Sequence, residues 1–293
     1  MRSIAGKRDI FYRDFKEGSE NLDDDFLDIL RSLLTGKADH VPKHLHMLLD
    51  AAGNKQGPSA TIRWVPYHLS YVLSCLAMED TRRAINTREP KFSYGKITSE
   101  MQELCDSLCD SKTYSGDGWE SIFVLFLLVR CLTSTYDKYF VPEEWFLENP
   151  KVFYNEPYEC KSSQEKLFGD CKNWQELLKG VTPGAGPQLS ILFPTNARLF
   201  ATYDVLVVYS KDHENKSIYG YQLKEGTAST TKVAATVEIE KSFWVQGKSP
   251  DNAASKKKNH QWEIADKASI DKFYGESGKH WTPEKWRKFE EIK

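Results

Sequence analysis

The sequence predicts an α/β protein in which a helical N-terminal module, residues 1–110, precedes a sheet-containing domain, residues 111–293. Three observations carry this. Asn21 to Leu34 spaces Phe26, Leu27, Leu30, Leu33 and Leu34 as one face of a helix behind an acidic first turn. Trp119 to Leu132 is a nearly continuous apolar run of helix length. Beyond Pro187 the pattern changes to short β-branched and aromatic stretches.

Within the first module, His44 to Ala52 and Tyr67 to Met78 are further helices, parted by a Gly/Pro/Ser loop at Gly53 to Ser59. Ile62 to Val65 is too short to define a strand. Ser99 to Cys109 adds a helix, and the turn-rich Ser111 to Gly118 marks the boundary between the two domains. The Trp119 run falls short of the ~20 residues a membrane span needs. It also carries Glu120 and Arg130, so it is expected to be buried in protein and no membrane partner is expected.

In the second domain, aromatic segments with Pro142, Pro150 and Pro157 precede a helix expected over Ser162 to Lys179. Pro183 to Pro187 is a loop, followed by strands at Leu189 to Phe193, Tyr203 to Tyr209, Ile218 to Leu223 and Val237 to Val245. From Ser269 the chain reads as helix and turn anchored by Trp281 and Trp286.

Composition excludes a disordered or fibrous chain: 40% of residues are hydrophobic, 28% charged and 13% aromatic. The net charge is −2, yet from Val205 onward 16 Lys and Arg stand against 13 Asp and Glu. That mild bias permits nucleic-acid contact by the C-terminal part without requiring it. Six cysteines lacking a CxxC pair suggest free thiols. Met1 to Phe15 is charged and has no apolar signal-peptide core, which suggests an intracellular chain or one whose leader has been removed.

The chemistry concentrates between Tyr203 and Gly226. Asp204 opens the apolar run Val205 to Tyr209, and Gln222-Leu223-Lys224 closes the run from Ile218, with a polar loop between them. In an antiparallel hairpin turning near His213 and Glu214, facing residue numbers sum to about 427. Side chains alternate with period two, so Gln222 and Lys224 share a face, and a sum of 426 or 428 brings Asp204 onto it.

Such a cluster suits metal-assisted phosphodiester hydrolysis. Asp204, the Gln222 side-chain carbonyl and the Leu223 backbone carbonyl offer oxygen ligands to Mg²⁺. Lys224 would stabilise developing negative charge. Glu120, heading the apolar helix, is a further carboxylate, tolerated there by the helix dipole or by a metal. The simpler alternative is that Asp204 is a strand-entry turn residue and Lys224 an edge charge.

Other candidates carry less chemistry. His40 and His44 are four apart, but His46 projects elsewhere and no cysteine completes a zinc set. Cys105 and Cys109 share a helical face as buried thiols. Glu225 is a solvated charge, and Lys256 to Lys258 is either a phosphate-contacting or nuclear-import patch or a solvated loop.

A Glu-bearing helix, an Asp at the head of a strand and a hairpin ending in Gln-x-Lys resemble the PD-(D/E)XK nuclease pattern, matched by Glu120, Asp204, Gln222 and Lys224. Tyr203 stands where that pattern usually has Pro, and Gln222 where it usually has an acid. The words GDGWE, YDVLVV, YGYQLKEG, KSFWVQGKS and FYGESGKHWTPEKW, in that order, look like the C-terminal nuclease domain of Crinkler effectors, relatives of retrotransposon hot spot proteins.

The resemblance implies a restriction-endonuclease-like core, a central mixed sheet flanked by helices, and Mg²⁺ or Mn²⁺ as cofactor. DNA is the implied partner, with a host nuclear protein as a further one, and the host nucleus the implied site of action. The alternative, motivated by the Gln at position 222 that removes a negative charge from the metal site, is a catalytically inactive module that keeps the fold and binds DNA or a host protein. In that family an NTPase module and a winged-helix-like linker often precede the nuclease. No GxxxxGK[ST] phosphate loop is present here, so residues 1–110 read as a helical remnant or adaptor, winged-helix-like at most, and not as an ATPase.

Overall fold

The computed structural model describes residues 21–37, 64–88, 92–109, 116–134, 159–163, 173–181, 188–193, 202–210, 216–224, 239–247, 262–265, 267–278 and 281. His40, His44, His46, Glu225, Lys256 to Lys258, Trp286 and the expected helix at His44 to Ala52 lie outside them. The chain divides into two compact units. Met1–Ser111 with Tyr274–Lys293 forms one, and Lys112–Phe273 the other.

The first unit is helical. Helix α1 (Leu22–Thr35) starts at Asn21, whose side chain accepts the Asp23 N–H, and ends at Gly36 in the left-handed region. Its buried stripe includes Phe26, Leu27, Ile29, Leu30, Leu33 and Leu34, as the periodicity requires. Helix α2 (Pro66–Thr87) begins on Pro66 at its first position and runs well past the expected end at Met78. Helix α3 (Gly95–Cys109) starts four residues before the expected Ser99.

Trp64 fastens this unit. Its indole N–H donates to Ser32 Oγ at 2.7 Å and its carbonyl accepts the Trp281 indole N–H at 2.6 Å. Gly275 has φ 61°, and a Cβ there would stand 2.5 Å from the Leu34 carbonyl, so only glycine allows this approach.

The second unit is mixed α/β. Helix α4 (Gly116–Ser134) is followed by β1 (Glu159–Ser163), α5 (Trp174–Gly180), β2 (Gln188–Leu192), β3 (Val205–Ser210), β4 (Lys216–Lys224), β5 (Lys241–Gln246) and β6 (Glu263–Ile264). Helix α6 (Lys267–Gly278) follows, and the division between units falls inside it. The strands form one six-stranded sheet in sequence order.

β2, β3 and β4 are an antiparallel meander. β1 runs parallel to β2, β5 to β4, and β6 to β5. The helix expected over Ser162 to Lys179 is corrected here. Ser162 and Ser163 belong to a strand, and the described helix is confined to seven residues, capped by the Asn173 side chain on the Glu176 N–H. A capping Asn resets the helix start just before the apolar Trp174, Leu177 and Leu178.

Both sheet faces are covered, which is why β4 is buried from Ile218 to Leu223 without alternation. On one face α5 joins Leu192, Leu206, Val208, Ile218 and Trp244 in a core. On the other, Phe123 of α4 packs on Tyr221, with ring centroids 5.2 Å apart, and Tyr221 stacks on Phe243.

Arg130 is tolerated in this apolar helix because its Nε donates to the Phe273 carbonyl at 2.8 Å and its Nη2 to that of Lys272. These carbonyls precede the break at Gly275, and burial lowers the guanidinium pKa to about 9. Among the described residues no helix is long and apolar enough to cross a membrane.

Candidate functional site

Val205 pairs with Tyr221, so facing residue numbers in the hairpin sum to 426 and the next position sets Asp204 against Gln222. Parity places Asp204, Gln222 and Lys224 on the same sheet face as Val208 and Ile218. The backbone tightens the junction, because the Asp204 N–H donates to the Tyr221 carbonyl at 2.8 Å.

The Asp204 carboxylate is where the three residues meet. Its Oδ2 accepts the Leu223 N–H at 2.6 Å and the Gln222 Nε2–H at 2.5 Å, and Lys224 Nζ lies 3.9 Å from the same oxygen. β3 begins only at Val205, so the carboxylate takes over the Leu223 N–H where the ladder ends. Burial raises the Asp204 pKa, opposed by the Leu223 N–H, the Lys224 charge and the Gln222 hydrogen bond. Lys224 stays about one-third exposed, whereas Gln222 is buried.

What fixes Asp204 is the residue before it. Tyr203 is buried, with its ring over Gly220 and its hydroxyl 2.8 Å from Ser242 Oγ on β5. A Cβ on Gly220 would stand 2.3 Å from that ring. Thr202 enters with φ 83°, a left-handed conformation costly for a β-branched residue. The position at which the nuclease pattern usually has Pro is therefore held by packing rather than by a ring-locked backbone.

The strand on the other side of β4 completes the wall. Lys224 pairs with Gln246 and Gln222 with Trp244, and the Gly247 N–H donates to the Lys224 carbonyl at 2.8 Å. The Trp119 ring sits 3.1 Å from where a Cβ on Gly247 would stand, bringing the first turns of α4 to the end of β5. Glu120 follows Trp119 there and is half-buried. Among the described residues no three His, Cys, Asp or Glu side chains form a metal-holding group.

Sequence reasoning missed Gly220, Ser242 and Gln246. The first two had a readable signal, a glycine between two tyrosines and a serine one position ahead of an aromatic pair, but only the register shows them meeting Tyr203. Gln246 had the signal of parity with Trp244 in the word KSFWVQ. No protein-family model, no curated protein and no solved structure matches this chain.

Proposed function

We propose that the sheet unit is a restriction-endonuclease-like module of PD-(D/E)XK type that hydrolyses DNA phosphodiester bonds with a divalent cation, in a Crinkler-type effector acting in the host nucleus. The observation that carries it is the convergence of Asp204, Gln222 and Lys224 at one strand end. The element order is compatible with it, since the helix bearing Glu120 precedes the β3–β4 hairpin that carries Asp204, Gln222 and Lys224, within one mixed sheet. The end at which they meet is the carboxyl end of β4 and β5.

The donor set fits a hard cation that keeps most of its waters. All three described partners of Asp204 lie on Oδ2, leaving Oδ1 as a carboxylate oxygen for the ion. Glu120 and the Leu223 carbonyl are the other oxygens that would hold Mg²⁺ or Mn²⁺. Gln222 turns its amide nitrogen to Asp204, so its part here is to orient the carboxylate. When bound, such an ion supplies Lewis acidity towards a phosphodiester.

Lys224 brings its ammonium to the same point, where it would offset negative charge developing on the phosphoryl oxygens. Lys224→Ala is expected to lower metal-dependent cleavage of plasmid DNA roughly 10²- to 10³-fold while the far-ultraviolet circular dichroism is kept. Cleavage equal to wild type by this variant sinks the assignment. The assay is run on single- and double-stranded DNA and RNA so that the substrate is identified in the same series.

One observation favours a second reading, a non-catalytic module that binds DNA or a host protein. The described cluster holds a single acid where the nuclease pattern usually has two, and Gln222 spends its amide on that acid. Calorimetry with Mn²⁺ separates the two. Binding abolished in Asp204→Ala favours the enzyme, and no binding by wild type favours the module.

A further inference from the structure

Gln246 is a buried polar group beside the site that the proposed chemistry leaves unused. It is 3% exposed at the end of β5, on the face whose next inward residue, Trp244, is fully buried in the core. A carboxamide withdrawn from water costs free energy unless it is hydrogen-bonded. Here the Trp244 indole N–H donates to Gln246 Oε1 at 3.4 Å.

The sheet puts this amide beside the lysine. β4 and β5 are parallel, so the register pair Lys224 and Gln246 points to one face, on strands about 4.8 Å apart. Lys224 is thus flanked on one side by Asp204 at the head of β3 and on the other by Gln246 at the tail of β5. The Gly247 N–H on the Lys224 carbonyl locks the two strand ends together just beyond the pair. A lysine stem has four rotatable carbons, so neighbours that bound the stem narrow the directions open to its ammonium, which here lies 3.9 Å from Asp204 Oδ2.

We infer that Gln246 is a further positioning residue of this site: its carboxamide, fixed by Trp244, bounds the Lys224 stem on the side away from β3 and keeps the ammonium directed at Asp204. The functional consequence rests on the nuclease reading, whereas the positioning itself does not.

The test is Gln246→Met, which conserves length and volume and removes the amide. The full chain is labelled with [¹³Cε]-lysine, and Lys224 is assigned by Lys224→Arg. In Gln246→Met the Lys224 Cε resonance is expected to move and broaden, and kcat for DNA cleavage to fall about 10-fold with KM within about twofold, as loss of an orientation requires.

An unmoved resonance with unchanged kcat overturns the inference, and if Lys224→Ala still lowers cleavage by roughly 10²- to 10³-fold the nuclease reading survives it. A moved resonance in a chain that cleaves no nucleic acid keeps the positioning and removes the nuclease reading. Trp244→Phe, which deletes the indole N–H that holds Oε1, is expected to move the same resonance, and failure to do so also counts against the inference.

Discussion

Asp204 in the sheet unit and Glu100 in the helical unit are both carboxylates withdrawn from water, and their surroundings are opposite. Asp204 receives a backbone N–H, a carboxamide N–H and a nearby ammonium on one oxygen. Glu100, on α3, is 3% exposed and neither of its oxygens has a hydrogen-bond partner. A third buried acid, Glu79 on α2, shows the ordinary solution, with Arg82 and Arg83 bound to it and its pKa lowered as a result. Charge that is merely buried is usually paired in this manner. The sheet unit instead surrounds Asp204 with two neutral N–H donors at hydrogen-bond distance and holds its one cation, Lys224, farther off at 3.9 Å.

The largest expected effect tests how that arrangement is held. In Gly220→Ala the new methyl cannot share space with the Tyr203 ring, so either the ring leaves its place over β4 and loses Ser242, or the strand shifts. The expected cost is about 3 kcal/mol in urea unfolding, at the upper end of overpacking substitutions. Displacing Tyr203 also displaces the carboxylate that follows it, so Mn²⁺ binding is expected to fall alongside. A stable Gly220→Ala chain with wild-type binding would mean that Tyr203 does not fix Asp204.

Much of this was legible beforehand, and the reasons differ by element. The helix at Leu22–Thr35 follows from its apolar period, acidic first turn and flanking Asn21 and Gly36, all local signals. The hairpin register was legible to within one residue, as a sum near 427, and the sheet adopts 426, one of the two values that bring Asp204 onto the face of Gln222 and Lys224, because a slip by one residue would take Leu206, Val208 or Ile218 off the core face. The helix at Trp174 was legible as the last part of the helix expected over Ser162 to Lys179, but its start at Asn173 and the strand at Glu159 were not. β1 is paired along the sheet by residues far away in sequence, and pairing of this kind leaves no local pattern. The clamp of Tyr203, Gly220 and Ser242 is hidden for the same reason, since it joins the approach to β3 with β4 and β5.

The next effect in size concerns Glu100. Burial raises its pKa to about 7, with the Lys96 charge opposing and Glu103 adding to the shift. The folded state therefore holds a proton that the unfolded chain gives up near 4.5, the ordinary value of a glutamate. Stability falls as pH rises through that window and is lowest above it. Glu100→Gln removes the ionisation, so it is expected to match wild type at pH 5 and exceed it by on the order of 2 kcal/mol at pH 8. Urea titrations at the two pH values check this, and equal stability at pH 8 would mean that Glu100 finds a partner in solution.

The smallest effect is the sharpest test of the contrast. Asp204 is also raised by burial, so its contribution has the same sign: stability present at low pH and reduced as pH rises through its folded-state value. Its three partners oppose the shift, so the pH dependence it contributes is smaller than that of Glu100. Asp204→Asn keeps an oxygen that accepts from Leu223 and Gln222 and loses only the attraction to Lys224, 3.9 Å away. Its stability at pH 8 is expected to stay within about 1 kcal/mol of wild type. Cleavage and Mn²⁺ binding, by contrast, are expected to vanish, because a neutral amide is a poor ligand for a hard cation. Near-native stability with function abolished would assign the charge of Asp204 to chemistry. A loss of several kcal/mol would instead make the carboxylate a structural cap for the end of β3, and the cluster would then be a feature of folding.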